Sequence, residues 1–514
     1  MRDTLRHGVR LLFLLLAPLV AVGGPRVNGA PPSANRHLLV VLDGLRPDDM
    51  TPQLMPNLYA LGRQGVVFES HHSVFPTVTR VNASSIATGT YPGTHGLMGN
   101  SVFFPQVDAR RFLDTADHTN LVTIDTAVQG HLLTTRTLSE ILQASGRKVL
   151  AVGSGSTGAT YLLNHKLAGG AILHTSYAMP QALSSELRSR FGEAPPAGTP
   201  NDARNRRAVD LFLDFGLKKI DPAVTMMWLS DPDTTAHEHG VGHPITIDAL
   251  KRLDGEIKRL QDGLRAAGML DSYNIWVTSD HGFSTHTAGV NLASIVRPFA
   301  GTLPDGSPRI VTGGGMVYVR DHDRAVVSAI VKVLQRTAGV GAIFTAAAAP
   351  GEMYGQVAGT LSFDAVRWNH PRSPEILISD DWTDAKNAHG YAGTTASSGV
   401  AGHGSSSPFD IHATFIAAGP DLKQHAVVRS PTGNVDFAPT FLQLLGVDIP
   451  ASMQGRVLEE AMRAGPEPAS IQVQPMRVSV TNADGTYTLT AVFSSVESHR
   501  GSHRYFDYTK VERR

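Results

Sequence analysis

Three apolar segments of the chain end on side chains that can bind a metal ion. Asp43 closes HLLVVLD, Asp233 and His237 lie in DPDTTAHEHG after a second segment, and Asp280 with His281 closes a third. A single acidic residue of this kind would more simply cap the next helix. The carboxyl ends of parallel strands meet at one edge of a sheet, so residues that are distant in sequence converge there. The coincidence on three segments predicts a metal site.

A further histidine, His403, lies in the glycine-rich segment AGHGSSSP. On its own, a histidine in such a loop is usually an exposed side chain with no ligand role. Together with the residues above, it gives three carboxylates and three imidazoles, and the chain has no cysteine. These oxygen and nitrogen donors are the ligands that Zn²⁺ accepts when thiolates are absent.

The segment FPTVTRVNASS, residues 75–85, gathers threonine and serine hydroxyls around Arg80 without an acid, a base or a cysteine. A turn is one explanation, because Ser, Thr and Asn bond their own backbone in turns. The other explanation is a nucleophile that a metal ion activates, since coordination can deprotonate a hydroxyl without a neighbouring base. These residues alone leave both explanations open.

Buried strands alternate with helical patterns through much of the chain. Apolar segments at residues 37–43, 148–153, 223–231 and 273–280 are typical of strands covered on both faces, and MPNLYALGRQG, TLSEILQASG and IDALKRLDGEIKRLQDGLRAAG have helical periodicity. This alternation predicts an α/β fold in which helices sandwich a mostly parallel sheet.

The pattern changes twice along the chain. Residues 293–372 contain GMVYVR, a helical DRAVVSAIVKVLQRTAG and GAIFT, which predict a small α+β insert that caps the core. The core, residues 31–292, is expected to resume at residues 373–460 with EILISD and DIHATFIAAGP. Residues 461–514 alternate around the NADG turn and predict a β-rich C-terminal extension.

The first 30 residues have the pattern of a signal peptide, with arginines before an apolar run at residues 11–22 and then Gly, Pro and Asn. The apolar run is shorter than the about 20 residues that a membrane span needs. We therefore expect an exported protein, periplasmic or secreted, with no stable membrane span once the signal is removed.

The overall charge excludes one class of partner. Lys plus Arg and Asp plus Glu are 45 each among 514 residues, so no net field favours a nucleic-acid platform. The expected partner is a small molecule bound at the predicted metal site.

The ordered series VVLDG, FPTVT, TGTYPGTHGLMGN, DPDTTAHEHG, TSDHG and GHGSSSP resembles the type I phosphodiesterase/nucleotide pyrophosphatase family of the alkaline phosphatase superfamily. The resemblance implies an alkaline-phosphatase-like fold and two Zn²⁺ ions, although other divalent transition metals are compatible. By the resemblance, one ion is held by Asp233, His237 and His403, and the other by Asp43, Thr79, Asp280 and His281.

The resemblance also assigns the nucleophile to Thr79, which would form a covalent phosphothreonine, while Thr77 and Ser84 have no role. A helix formed by RVNASSIAT and ending at Gly89 would place Thr79 at a helix N-terminus, where partial positive charge favours an alkoxide and a phosphate. Asn100, which ends THGLMGN, is implied to donate its amide to a phosphoryl oxygen, aided by the backbone N–H of Arg80.

The implied activity is hydrolysis of a phosphoester or a small nucleotide-like substrate. Val78, Arg80 and Val81 stand where nucleotide-cleaving members often have Lys, Phe and Pro, so a phosphomonoesterase or a phosphonoacetate hydrolase of the same superfamily remains the alternative. A sulfatase is excluded because no Cys/Ser-x-Pro-x-Arg segment occurs in the chain. The remote alternative is a non-catalytic protein that a metal ion stabilises.

Overall fold

A sheet of nine strands forms the centre of residues 35–514, the part of the chain that the computed structural model describes. The predicted signal segment lies outside these residues. In spatial order the strands are Ala426–Val428, Val66–Phe68, Phe415–Ala418, Tyr273–Thr278, Arg36–Leu42, Val224–Leu229, Val149–Gly153, Ala171–His174 and Ala178–Met179.

The four strands predicted from the sequence are neighbours in the middle of this sheet. Arg36–Leu42 pairs in parallel with Tyr273–Thr278 on one side and with Val224–Leu229 on the other, and Val149–Gly153 continues the parallel order. Antiparallel pairing is confined to the flanking strands, where Phe415–Ala418 runs against Tyr273–Thr278. The predicted mostly parallel α/β sheet is therefore confirmed.

Helices cover both faces of the sheet because its strands are apolar on both sides. Along Arg36–Leu42, Leu39 and Val41 pack into one hydrophobic core, whereas Leu38 and Val40 pack into the other. The first core is covered by helices Thr79–Thr88, His118–Ala127, Leu138–Ala144, Thr157–Leu163 and Phe437–Leu444. The second is covered by Pro56–Gln64, Ala182–Phe191, Asp202–Asp210 and Pro244–Ala266.

Shorter elements complete the layer around the sheet. The other short α-helices of residues 35–514 are Pro92–His95, Leu217–Lys219, Asp233–His239, Leu292–Val296 and Pro408–Ile411, and the π-helical segment Leu211–Gly216 continues Asp202–Asp210. Small sheets pair Ser101–Val102 with Leu113–Asp114 and His71–His72 with Thr432–Gly433, and join Trp382–Lys386, Ala392–Thr395, Ser284–His286 and Ala401–Gly402. No helix among residues 35–514 has the length and apolar content needed to cross a membrane.

The predicted insert, residues 293–372, contributes four strands to a second sheet of five strands. In spatial order the strands are Ile310–Gly313, Met316–Val319, Ile376–Asp380, Val340–Thr345 and Leu361–Ser362, and the helix Arg324–Arg336 packs on them. The strand Ile376–Asp380, which was expected in the core, belongs to this second sheet. Its apolar run predicts a buried strand but carries no information about which sheet buries it.

Three long antiparallel strands end the chain, Val473–Thr481, Tyr487–Ser498 and Gly501–Arg513. Tyr487, Leu489 and Phe493 are fully buried in the same hydrophobic cluster as the insert side chains Val331 and Phe344. The insert and the C-terminal strands therefore share a core, and the exact boundaries 293–372 and 461–514 remain predictions.

Candidate functional site

Three neighbouring parallel strands bring the predicted carboxylates to one edge of the central sheet. Asp43 follows Arg36–Leu42, Asp280 follows Tyr273–Thr278, and Asp233 begins the helix after Val224–Leu229. Gly44 allows this close approach, because its backbone has φ +74° and an added Cβ would lie 3.1 Å from Cβ of Asp233.

The six predicted metal-binding residues other than Thr79 form two adjoining groups. In the Asp43 cluster, defined as Asp43, Asp280 and His281, Nε2 of His281 lies 3.5 Å from Oδ1 of Asp43 and 3.0 Å from Oδ2 of Asp280. These three residues lie close enough to share an ion.

In the Asp233 cluster, defined as Asp233, His237 and His403, Oδ1 of Asp233 lies 3.2 Å from Nε2 of each histidine. The ring of His403 stacks on His281 with centroids 3.5 Å apart, which joins the two clusters.

One oxygen of each aspartate has no hydrogen-bond partner although it is buried. These atoms are Oδ1 of Asp43, Oδ1 of Asp233 and Oδ2 of Asp280. For Asp43 and Asp280 the second oxygen is satisfied by the protein, since Nε1 of Trp228 donates to Oδ2 of Asp43 at 2.8 Å and the Gly44 N–H donates to Oδ1 of Asp280 at 3.1 Å. Buried unsatisfied carboxylate oxygens are costly unless a cation binds them.

Each histidine of the two clusters presents the same ring nitrogen to the carboxylates. In every case Nδ1 faces a backbone carbonyl, which can only accept, so Nδ1 donates a proton to it and Nε2 is the nitrogen turned toward the carboxylates. The pairs are His281 with Gly282 at 3.0 Å, His237 with Ala401 at 3.0 Å, and His403 with Thr77 at 2.8 Å. The backbone therefore turns Nε2 of all three rings toward the carboxylates, which is the orientation that metal binding would need.

The electrostatics of the site reflect the crowding of its carboxylates. Burial, then the neighbouring Asp280 and Asp233, raises the pKa of Asp43 well above its ordinary value, and burial followed by Asp233 raises the pKa of Asp280 to about 7. Burial acts to raise the pKa of Asp233, but its contacts with His237 and His403 outweigh this and hold it well below the usual range. Burial lowers the pKa of His403 to about 4, so this ring is a neutral donor near pH 7.

The donor set fits Zn²⁺ or a similar divalent transition ion. Carboxylate oxygens and imidazole nitrogens oriented by hydrogen bonds from their other polar atom are the ligands such ions take in proteins. The orphaned oxygen in each aspartate is the atom that a cation would satisfy. These two observations support the metal-binding prediction for both clusters.

Thr79 lies beside the Asp43 cluster, at the start of the helix Thr79–Thr88. Its Oγ1 lies 3.4 Å from Nε2 of His281, and the residue is buried. The helix ends at Gly89 in the left-handed conformation, as predicted from the sequence. The first-turn N–H groups and the helix dipole therefore point toward the hydroxyl and any phosphate bound to it.

Asn100 is held against the start of the same helix. Its Oδ1 accepts the backbone N–H of Arg80 at 3.0 Å, and its own carbonyl accepts the Thr115 hydroxyl at 2.6 Å. The expectation that the Arg80 N–H is free for phosphate is wrong, because Asn100 uses it. The same bond fixes the amide orientation, with oxygen toward the helix and Nδ2 available as a donor.

The side chain of Arg80 is a cation that the sequence analysis did not place in the site. Its Nε is buried without a hydrogen-bond partner among the described residues. Burial lowers the pKa of Arg80, while the negative charges of Asp43, Asp114 and Asp233 oppose that shift. The guanidinium thus lies in the electric field of the site's carboxylates.

Thr77 has a structural role that the sequence did not suggest. It is fully buried, its hydroxyl donates to the Ser405 carbonyl at 2.9 Å, and it accepts the Gly404 N–H at 3.1 Å. Because its carbonyl also orients His403, Thr77 holds the loop that delivers this ligand. The expectation that Thr77 has no role is therefore wrong.

Two asparagines that sequence reasoning missed tie the site together. Asn82 bonds the backbone of Val74 in both directions, at 2.8 and 3.1 Å, which fixes the turn before Thr79. Asn434 donates to Oδ1 of Asn82 at 3.0 Å and to the Asp280 carbonyl at 2.8 Å. Asn82 falls within the hydroxyl-rich segment and could have been noticed, whereas no local pattern distinguishes Asn434.

Comparison with protein families identifies one match. The model of the family described as type I phosphodiesterase / nucleotide pyrophosphatase matches residues 37–399. This range includes every predicted site residue except His403.

Curated relatives are similar to the chain at about a quarter identity. Bis(5'-adenosyl)-triphosphatase ENPP4 of Bos taurus is 26% identical over 303 residues, 58% of this chain and 58% of the relative. Bis(5'-adenosyl)-triphosphatase enpp4 of Mus musculus is 24% identical over 442 residues, 84% of this chain and 83% of the relative. The chain thus spans little more than half the length of the bovine relative in their alignment.

Solved structures share the fold. Murine ectonucleotide pyrophosphatase / phosphodiesterase 5 superposes with a TM-score of 0.55 and 16% identity, covering 81% of this chain and 96% of that chain. At this level of identity the likeness establishes the alkaline-phosphatase-like architecture alone.

Proposed function

The chain belongs to the type I phosphodiesterase / nucleotide pyrophosphatase family, and from that premise we propose that it hydrolyses phosphoesters through a covalent phosphothreonine at Thr79, with two Zn²⁺ ions. The observation that carries this proposal is the position of the Thr79 hydroxyl. It lies 3.4 Å from Nε2 of His281, beside orphaned carboxylate oxygens and at a helix N-terminus.

The chain's own residues divide into ligands and positioning groups. Asp43, Asp280, His281 and Thr79 would hold one ion, and the Asp233 cluster would hold the other. When bound, the ions supply Lewis acidity that favours the ionised hydroxyl, stabilises charge on the entering and leaving oxygens, and activates water.

In the first step the Thr79 hydroxyl gives its proton to solvent and Oγ1 attacks phosphorus. The bond to the leaving oxygen breaks in line with the attack, and a leaving alkoxide takes up a proton from solvent. In the second step water attacks the same phosphorus, the bond to Oγ1 breaks, and Thr79 regains its hydroxyl proton. The positive N-terminal end of the helix Thr79–Thr88 and Nδ2 of Asn100 would stabilise the non-bridging oxygens in both steps, whereas the Arg80 N–H is already bonded to Asn100.

The substrate is proposed to be a small phosphoester or nucleotide-like molecule outside the cytoplasm. The similar proteins are named as bis(5'-adenosyl)-triphosphatases and as a nucleotide pyrophosphatase / phosphodiesterase, which supports a phosphoanhydride or diester substrate. Export, to the periplasm or by secretion, rests on the sequence pattern of residues 1–30.

The proposal is tested by comparing substrates with the zinc-loaded protein. Initial rates are measured on bis-p-nitrophenyl phosphate, p-nitrophenyl phosphate, a dinucleoside polyphosphate and phosphonoacetate. Faster turnover of the diester or dinucleotide supports the proposal, and a preference for phosphonoacetate supports the alternative hydrolase. Bound metal without turnover of any phosphoester would indicate the non-catalytic alternative.

Removal of metal is expected to abolish hydrolysis, and Zn²⁺ is expected to restore it better than Mg²⁺, since imidazole ligands suit zinc and Mg²⁺ prefers six oxygens.

His403→Ala should lower bound zinc by about one equivalent per chain, because only Asp233 and His237 remain in the Asp233 cluster. Metal analysis of the purified variant measures this loss. His425→Ala, at an exposed histidine bonded to the Arg63 carbonyl, is the control. Equal zinc in wild type and His403→Ala would contradict the assignment.

A phosphomonoesterase is the second candidate, and Arg80 is the observation that favours it. Three aspartates and an ionised Thr79 balance two divalent ions, so the site needs a further cation to bind the dianionic phosphoryl group of a monoester. The buried, unpartnered Nε of Arg80 belongs to such a cation.

Arg80→Gln is therefore expected to lower kcat/KM for p-nitrophenyl phosphate by about 10- to 100-fold more than for bis-p-nitrophenyl phosphate, the size of a hydrogen bond to a charged group. Steady-state rates on both substrates measure the ratio, and Arg80→Lys should retain part of the monoester rate. An unchanged ratio between the two substrates would show that Arg80 does not favour the dianionic monoester over the diester.

A further inference from the structure

A third group of metal-binding side chains lies apart from the catalytic clusters. It consists of His72, His412 and Asp507, whose ligand atoms all lie within 4.8 Å of one another. His412 and Asp507 follow the residues that the family model matches. None of the three is needed for the phosphoester chemistry described above.

The geometry at His72 sets the chemical problem. Nδ1 of His72 lies 2.9 Å from the Thr432 carbonyl, which can only accept, so Nδ1 carries the proton. Nε2 then faces Oδ1 of Asp507 at 2.7 Å. Both atoms present lone pairs unless a proton or a metal ion lies at this position. His72 is 2% exposed, so the charge there must be balanced within the protein.

The second imidazole distinguishes a metal ion from a proton. The ring of His412 lies 4.9 Å from that of His72, and the backbones of the two residues form an antiparallel bridge. If a proton joins His72 to Asp507, the imidazole of His412 contributes little to that pair. If a metal ion lies there, His412 supplies it with another neutral nitrogen ligand. The Ser494 hydroxyl donates to Asp507 at 2.9 Å, the kind of supporting bond that orients a ligating carboxylate.

We propose that His72, His412 and Asp507 bind a divalent transition ion of the zinc class that fastens the C-terminal strands to the catalytic core. The three residues come from distant parts of the chain, namely the strand His71–His72, the end of the helix Pro408–Ile411 and the strand Gly501–Arg513. We call this proposed ion with its three ligands the clip. A cross-link that closes such long loops removes the most conformational entropy from the unfolded chain. In a chain without cysteine, this clip has the role that a disulfide has in many exported proteins.

The clip also lies next to the elements that carry the catalytic residues. Six residues before His412, the hydroxyl of Ser406 lies 2.5 Å from that of Thr509 and joins the His403 loop to the C-terminal strand. His72 lies in the same segment as Thr79, ahead of the turn that Asn82 fixes. Loss of the ion is therefore expected to loosen the C-terminal strands first.

The test is a metal count on the full-length protein after loading with Zn²⁺ and removal of loosely bound ion by gel filtration. Asp507→Asn and His412→Phe are each expected to contain about one metal equivalent less than the wild type. Asn preserves an acceptor for Ser494, and Phe preserves a ring, so both variants keep most of the packing. Added EDTA should lower the Tm of the wild type more than that of Asp507→Asn.

His503→Gln is the matched control, because His503 lies on the same strand and both its ring nitrogens already contact Ser498 and the Gln454 carbonyl. It should retain the wild-type metal content. Equal metal content per chain in the wild type, Asp507→Asn and His412→Phe would overturn the proposal and would leave His72 and Asp507 as a buried pair joined by a proton. The metal count does not depend on turnover, so the two proposals can fail separately. If the wild type hydrolyses no phosphoester but Asp507→Asn still contains about one metal equivalent less than the wild type, the proposed hydrolase is wrong and the third metal site is supported.

Discussion

Thr79→Ala is expected to lower kcat/KM for every phosphoester by about 10⁴- to 10⁶-fold, the range seen when a hydrolase loses its nucleophilic hydroxyl. The substitution removes Oγ1, the atom that lies 3.4 Å from His281, and leaves the six carboxylate and imidazole ligands unchanged. Bound metal should therefore be largely retained. Single-turnover kinetics and metal analysis on the same preparation separate loss of the nucleophile from loss of the ions.

The structure provides a closely matched control in the same helix. The hydroxyl of Ser84 bonds the Arg80 carbonyl within the helix at 2.9 Å, so Ser84→Ala should leave the rates nearly unchanged. Thr77→Ala is not a suitable control, because Thr77 holds the His403 loop. It is expected to lower activity through weaker metal binding at the Asp233 cluster.

Acid quenching of a labelled substrate gives a direct result. The label should map to Thr79 in the wild type and should be absent from Thr79→Ala. Label on Ser84 or Thr77, or full activity in Thr79→Ala, would show that the nucleophile lies elsewhere.

The edge of the sheet that gathers the candidate metal ligands was predictable because it depends on topology. Once the segments ending at Asp43 and Asp280 are assigned as buried parallel strands, their carboxyl ends must lie side by side. In the structure, Arg36–Leu42 pairs in parallel with Tyr273–Thr278 and with Val224–Leu229, so the carboxyl ends of all three strands are adjacent. Local rules were also sufficient for the helix that begins at Thr79 and ends at Gly89.

The groups that orient the ligands were not predictable because their partners are distant and lack a pattern. The Trp228 indole that bonds Asp43 lies within an apolar strand, where it is typical of core packing. Asn434 reaches the Asp280 carbonyl from a separate segment. The backbone carbonyl of Thr77 orients His403, and main-chain acceptors have no sequence signature.

The assignment of strands to sheets failed for a similar reason. Ile376–Asp380 has the composition of a core strand, but antiparallel pairing with Val340–Thr345 places it in the second sheet. The buried face of the C-terminal strand Tyr487–Ser498 packs on the same cluster. Periodicity predicts that a strand has a buried face, and the surface that covers this face is determined by contacts between distant segments.

Asn100→Ala is expected to lower kcat/KM by about 100- to 1000-fold with metal content unchanged, which is the usual effect of removing one donor to a developing oxyanion. Bound metal ions would stabilise the entering and leaving oxygens, so the non-bridging oxygens would depend on donors from the chain. Nδ2 of Asn100 is the side-chain donor that the Arg80 contact leaves available. Steady-state rates on a diester and a monoester, with metal analysis, measure the loss.

The structure offers a second explanation for any loss in that variant, because Asn100 also accepts the Arg80 N–H at 3.0 Å and so caps the helix that carries Thr79. Asn100→Asp separates the two roles. The aspartate keeps an acceptor of the same shape for the Arg80 N–H, but it replaces the amide donor by a negative charge facing the phosphoryl oxygens. If donation to phosphate is the role of Asn100, the Asp variant must lose at least as much activity as the Ala variant, since charge repulsion adds to the missing hydrogen bond. A near-normal rate in Asn100→Asp, together with a reduced rate in Asn100→Ala, would show that Asn100 acts by capping the helix.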